Sequence, residues 1–226
     1  MKKLDGGNAD PRAERPARQT TDLPPGYPLE YQRLVTLHDG RSVLIRPVLP
    51  SDAPALAESI KSADADTIRR RFLGGHLRVT SALLEFLTTV DFASRFALVA
   101  VEPVSQRGVA IARYEPAEQD GAAEVAVAVM PGWRGAGLAG QLLRMLAQAA
   151  GERGIHTFTG TYLADNNAAA ALINEAHEPA KRATSVGVTE FSVPLQPPDR
   201  GPYRGGQGVE GRVIPDESTR TGGSGL

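Results

Sequence analysis

Residues 124–140, EVAVAVMPGWRGAGLAG, leave this chain few ways to fold. Val125, Val127 and Val129 alternate with Glu124, Ala126, Ala128 and Met130. That period of two predicts a strand with its large side chains on one face and its small ones on the other. Pro131 has no N–H for a ladder and ends it. Arg134-Gly135-Ala136-Gly137-Leu138-Ala139 then runs into Leu142, Met145, Leu146 and Ala149, spaced for one helical face. Gly135, Gly137 and Gly140 carry no side chain to hold a ligand off the backbone. Free N–H groups at a helix start, with the helix dipole behind them, suit a phosphate. The stretch therefore predicts a pyrophosphate seat, with one carboxylate, Glu124, on the strand leading to it.

The rest of the chain supplies a sheet and its covering helices. Tyr31–Leu37 and Arg41–Val48 are alternating apolar runs around His38-Asp39-Gly40, a hairpin signal. Ser51 or Asp52 is expected to cap a helix to about Ser62. Further helices are expected over Asp64–Phe72, broken by Gly74-Gly75, and over Ser81–Thr89. Phe96–Val101, Val109–Tyr114 and Ala122–Met130 read as consecutive strands joined by short turns. After the long helix, Ile155–Leu163 reads as a strand, Asn166 or Asn167 caps an alanine-rich helix, and Ser185–Leu195 supplies at least one closing strand. Consecutive strands imply antiparallel pairing. The passage from Ala122 to Leu163 implies one parallel, right-handed strand–helix–strand crossover. The expected fold class is α+β, a mixed α/β sheet domain over residues 29–196.

Residues 1–28 and 197–226 are rich in Gly, Pro and charge and poor in large apolar side chains. Such segments bury too little surface to offset ordering entropy, so both are expected to be disordered tails. The formal net charge of −1 gives no global attraction to nucleic acid or anionic membrane, and neither is expected as a partner. There is no cysteine, which removes disulfides, thiolate zinc sites and cysteine nucleophiles. His38, His76, His156 and His177 show no ligand spacing, so no metal is expected. No apolar run is long enough for a signal or a membrane span, and a cytoplasmic location is expected.

The motif Arg134 to Ala139 resembles the (Gln/Arg)-x-x-Gly-x-(Gly/Ala) signature of the GNAT superfamily of N-acetyltransferases. Its strand–helix–strand setting and Leu163-Ala164-Asp165-Asn166-Asn167 resemble that family too. LHDGRSVLIRPVLPSDAPAL, RRRF and AEVAVAV are similar to the GNAT domain of bacterial protein-lysine acetyltransferases. The resemblance covers roughly residues 33–195. It implies a GNAT-type, mostly antiparallel sheet with a central parallel crossover. It implies acetyl-CoA held by Val129, Met130, Arg134, Gly135, Ala136, Gly137, Leu138, Ala139 and Asn166. It also implies acetyl transfer to an amine, with a protein lysine as the expected acceptor and Glu124 as general base. A lysine amine with a pKa of about 10.4 must lose a proton before it attacks, which a nearby carboxylate can accept.

Two features depart from the family. The last helix carries no tyrosine to act as acid, and Ala176-His177-Glu178-Pro179 stands where Gly-Phe is common. A small-amine acetyltransferase and a non-catalytic acyl-CoA-binding module therefore stay open. Gly135-x-Gly137-x-x-Gly140 also spells a dinucleotide fingerprint. Four residues, however, separate strand from glycine, and no acidic residue follows at the spacing a ribose needs. Arg69-Arg70-Arg71 is expected to form a charged helix face or an ion pair. Asn166 is a helix cap first.

Overall fold

The Asp-Gly turn folds the chain's first two strands onto each other. β1 (Arg33–Thr36) pairs antiparallel with β2 (Ser42–Pro47) in a register running from Arg33 opposite Ile45 to Thr36 opposite Ser42. Gly40 takes a φ of 83°, the left-handed conformation this turn needs. The computed structural model describes residues 23–71, 78–176 and 179–196. The expected tails up to residue 22 and from 197, Gly74-Gly75, His76 and His177-Glu178 lie outside the described residues. Part of the expected leading tail is placed. Tyr27 packs edge-on to Phe92 and gives its hydroxyl proton to the Pro47 carbonyl, 2.9 Å away.

Three helices follow the hairpin: α1 (Ala53–Ser62), α2 (Ala65–Arg71) and α3 (Ser81–Thr88). Asp52 does not cap α1 through its side chain. Its carboxylate instead accepts both terminal nitrogens of Arg46, each at 2.7 Å, and the Leu49 N–H at 2.8 Å. A buried guanidinium requires a paired anion, and that requirement outweighs a cap. α3 is capped by Thr80, whose Oγ1 accepts the Leu83 N–H.

β3 (Phe96–Val101), β4 (Gly108–Pro116) and β5 (Ala122–Val129) form the antiparallel centre. β3 is buried along its whole length, and its alternation divides it between two cores. Phe96, Leu98 and Ala100 face the larger one, while Ala97, Val99 and Val101 face the smaller. α4 (Leu138–Glu152) covers the larger core, inserting Leu142, Met145, Leu146 and Ala149 as its periodicity predicts. α1 and α2 lie over the opposite face.

The sheet continues with β6 (Thr157–Leu163), parallel to β5, and α5 (Asn167–Asn174) follows. Two closing strands then appear, where the sequence predicted at least one and located only the second. β7 (Lys181–Ser185) and β8 (Val188–Pro194) form a hairpin turning at Val186-Gly187, both with positive φ. A valine is a poor signal for such a turn, and β7 is exposed at every residue, so neither periodicity nor turn chemistry announces it. The order is β1-β2-β3-β4-β5-β6-β8-β7, eight strands among the described residues. Among the described residues only β5–β6 is parallel, as expected of a mixed α+β sheet with one central crossover.

Candidate functional site

β5 and β6 touch only at their starts. Ala122 pairs with Thr157, Ala123 with Phe158 and Glu124 with Thr159. Beyond Glu124 the two strands diverge, while β5 stays paired to β4 as far as Val129. Strand backbone groups alternate in direction. The Met130 N–H reaches back to Val109 at 2.9 Å, so the Val129 carbonyl points the other way, into the opening. Val125 and Val127 share that direction. The sheet thus contains a wedge whose β5 wall carries peptide groups outside the β5–β6 ladder, suited to the amides of an extended ligand, although Arg134 Nε already reaches the Val129 carbonyl at 3.2 Å. Gly160 sits near the wedge's apex. A Cβ there would lie 2.9 Å from the Phe191 ring and 3.1 Å from the Val125 carbonyl oxygen.

At the open end the chain makes one 3₁₀ turn, Pro131–Trp133, and passes through the glycines into α4. Gly135 and Gly137 have φ of 75° and 84°. Ala136 and Leu138 are buried between and behind them, which pins the turn to the core. Among the described residues no protein acceptor meets the N–H groups of Gly135 to Gly140. These donors, at the start of a 15-residue helix, form a nest for an anion. A Cβ on Gly137 would come within 2.7 Å of the His38 ring. His38 and Arg41 of the first hairpin buttress the nest. The His38 N–H bonds to the Ala136 carbonyl, while Arg41 donates to the Gly132 carbonyl at 2.9 Å and lies 4.1 Å over Trp133. Sequence reading missed this support, because nothing in the spacing of residues 38–41 and 132–137 links them.

Glu124 lies at the apex on the face that carries Ala126 and Ala128. It is exposed, and among the described residues nothing pairs with its carboxylate. It lines an open cleft of about 640 Å³ with Glu118, Thr159, Thr161, Lys181 and Glu190. Glu115, directly across from it on β4, is engaged by Arg95 at 2.7 Å and by Arg113. Tyr162 lies on the opposite face, its ring 6.1 Å from Phe191, so it does not share a face with Glu124. α5 holds no tyrosine, as its sequence says.

α2 straps the wedge's two rims together. The Thr67 hydroxyl accepts from Arg134 at 2.6 Å, and the same guanidinium donates through Nε to the Val129 carbonyl. On the far side Arg69 pairs with Asp165 at 2.9 Å, and Arg70 donates to the Asn166 Oδ1 at 3.0 Å. Asn166 also caps α5 by accepting the Ala169 N–H, so its oxygen is committed to the fold. Hydrogen bonds from Thr67 hold the Asp64 carboxyl below its ordinary range, and the Arg70 hydrogen bond does the same for Asp66. The expected charged helix face is therefore a set of tethers from Arg69 and Arg70.

Of the residues singled out in the sequence, Val129, Met130, Arg134, Gly135, Ala136, Gly137, Leu138 and Ala139 lie consecutively around the wedge's mouth. Asn166 stands on the other rim and Glu124 at the apex. An anion held in the nest, an extended chain along β5 and a reacting group beside Glu124 can thus belong to one ligand. Among the described residues no helix is long and apolar enough to cross a membrane.

Residues 77–177 match the profile of the Acetyltransferase (GNAT) family. The chain is 34% identical over 135 residues to acetyltransferase PA5475 of Pseudomonas aeruginosa, covering 59% of this chain and 73% of that protein. It is 29% identical over 170 residues to acetyltransferase Pat of Mycolicibacterium smegmatis. That match covers 75% of this chain but spans only 50% of the other protein's length. Among solved structures, the GNAT domain of S. lividans PAT superposes with a TM-score of 0.68 at 29% identity, covering 75% of this chain and 99% of that one.

Proposed function

The chain belongs to the acetyltransferase (GNAT) family, and from that premise we propose that it transfers an acetyl group from acetyl-CoA to a protein lysine, with Glu124 as general base. One observation carries the reading. The β5–β6 pairing stops at Glu124, so the anion nest, the unpaired β5 edge and a solvent-reaching carboxylate follow one another along a single wedge.

The N–H groups of Gly135 to Ala139 hold the pyrophosphate, with Arg134 beside them. The backbone groups of Val127, with the Val125 carbonyl and the Val129 N–H on either side, bond the pantetheine amides. Met130 and Asn166 line the two rims. Acetyl-CoA supplies the activated thioester. Glu124 takes the proton of the incoming amine, directly or through water, as nitrogen bonds to the acyl carbon and the carbon–sulfur bond breaks. The electron pair leaves on sulfur. A thiol is far more acidic than an alcohol, so the thiolate leaves without a strong acid, which fits a site without a helix tyrosine. The cleft around Glu124 has exposed walls carrying Glu118 and Glu190. Lys181 and Arg182 line the same cleft, so its walls carry both signs of charge, and its openness suits a side chain presented by another protein, because the rest of that protein can stay in solvent.

Titration with acetyl-CoA, with NADH in parallel, tests the ligand. Acetyl-CoA at a hundredfold excess over its Kd should add about 2.7 kcal/mol to stability and alter Trp133 fluorescence, and NADH should do neither. Stabilisation by NADH alone would reject the reading. Mass spectrometry of a lysine-bearing protein mixture after incubation tests the acceptor. Acetylation confined to a free small amine would replace the lysine assignment.

A further inference from the structure

A cavity of about 120 Å³ lies between the α1–α2 pair and the sheet, on the same face as Glu124 but farther along β5. Leu56 and Ile60 of α1, Ile68 of α2, Val99 of β3 and Ile111 of β4 line it. Ala126 and Ala128 form the wall that belongs to β5. Its polar side chains are already committed. Asp52 holds Arg46, the Ser59 hydroxyl donates to the Ala55 carbonyl, and Thr67 bonds Asp64. Gln106 donates to the Pro103 carbonyl, and Arg113 pairs with Glu115 beneath the Phe86 ring. A chamber that offers a ligand no polar partner is a poor site for ordered water and a good one for alkyl carbon.

We infer that this cavity receives the alkyl chain of acyl-CoA donors longer than acetyl. The inference rests on the acetyl-CoA reading above. Glu124 lines the separate open cleft, so the acceptor amine approaches there and leaves this chamber to the donor. The chamber's β5 wall begins at Ala126, two residues beyond Glu124, and continues through Ala128 to Val129 and Met130, so the side chains nearest the apex are small. An acyl group bound at the wedge's apex has this chamber as its dry neighbour. The volume limits the chain. A cavity of about 150 Å³ accepts a benzene ring, so this smaller one suits roughly three- to five-carbon acyl groups and excludes a fatty acyl tail.

Calorimetric binding of CoA, acetyl-CoA, propionyl-CoA and butyryl-CoA to the full chain tests the inference without any acceptor. Each methylene buried in the chamber should tighten binding about fourfold. Ser59→Leu fills the chamber from α1 and should erase the gain from acetyl to butyryl while leaving acetyl-CoA affinity unchanged. Ala63→Leu does the same from the end of α1, should the first variant not fold. If acetyl-CoA binds but the longer thioesters bind no tighter, the inference falls and the donor reading stands. A gain that survives both substitutions places the alkyl chain elsewhere and also overturns it. If none of the four ligands binds, both readings fall together.

Discussion

Glu115 and Glu124 stand directly opposite each other across β4 and β5, yet they live in different electrostatic settings. Glu115 is three-quarters buried and held by two guanidinium groups, Arg95 at 2.7 Å and Arg113. Glu124 is exposed, with no partner among the described residues. Two carboxylates facing each other would repel if both were free, and the arginines neutralise one of them. Glu115 therefore belongs to the fold, and Glu124 is the carboxylate left free for the proposed role as base. Glu124→Gln should lower kcat/KM by on the order of 10²–10⁴ while acetyl-CoA binds as before. Steady-state kinetics beside calorimetry separates the two effects, and an unchanged rate removes Glu124 as base.

The residues of the candidate site were legible because backbone chemistry dictates them. Positive φ at positions 135 and 137 needs glycine, and the strand before them must alternate. What stayed hidden depends on contacts between segments far apart in sequence. The tethers from α2 to Arg134, Asp165 and Asn166 join residues 67 to 96 positions apart. The β7 edge strand escaped notice because an exposed strand shows no apolar alternation. Asp52 looked like a cap because caps are local, whereas its actual partner, Arg46, is a buried cation that only the folded sheet creates.

Asp52→Ala should destabilise the protein by about 3–5 kcal/mol, because it leaves the Arg46 guanidinium buried without its anion. Urea unfolding measures this as a lower midpoint at constant slope. Replacing the pair together, as Arg46→Met with Asp52→Leu, should recover most of the loss, since the penalty belongs to the orphaned charge. A double variant as unstable as Asp52→Ala would show instead that the Leu49 N–H bond to Asp52 carries the effect.

Gly137→Ala should weaken acetyl-CoA binding more than it weakens the fold. The φ of 84° costs an L-residue about 1–2 kcal/mol, and the new methyl group would press on the exposed, movable His38 ring. Relief of that strain rotates the N–H groups that aim at the anion, and a tenfold or greater rise in Kd is expected. Adding His38→Ala removes the steric part and leaves the backbone strain, so it should restore affinity only in part. Full-strength binding by Gly137→Ala would remove the nest from the site.

Acid should loosen α2 before it loosens α4. The Asp64 carboxyl is held below its ordinary value of 3.8 by hydrogen bonds from the Thr67 hydroxyl and N–H, with Arg134 nearby. Asp66 is held below the same value by the Arg70 hydrogen bond. A depressed folded-state pKa favours the folded form fully above the unfolded value, and that contribution vanishes as pH falls through the folded value. These tethers are thus complete above pH 3.8 and are lost progressively below it. Both groups are exposed, so global stability is a poor readout and local opening a good one. Hydrogen exchange, corrected for its intrinsic pH dependence, should show protection over Ala65–Arg71 falling as pH drops below 3.8, with Leu142–Ala149 unchanged. Higher salt at pH 5 should move α2 the same way, because screening weakens exposed pairs. Protection of α2 that tracks α4 under both conditions would mean that apolar packing, rather than its charges, holds this helix across the wedge.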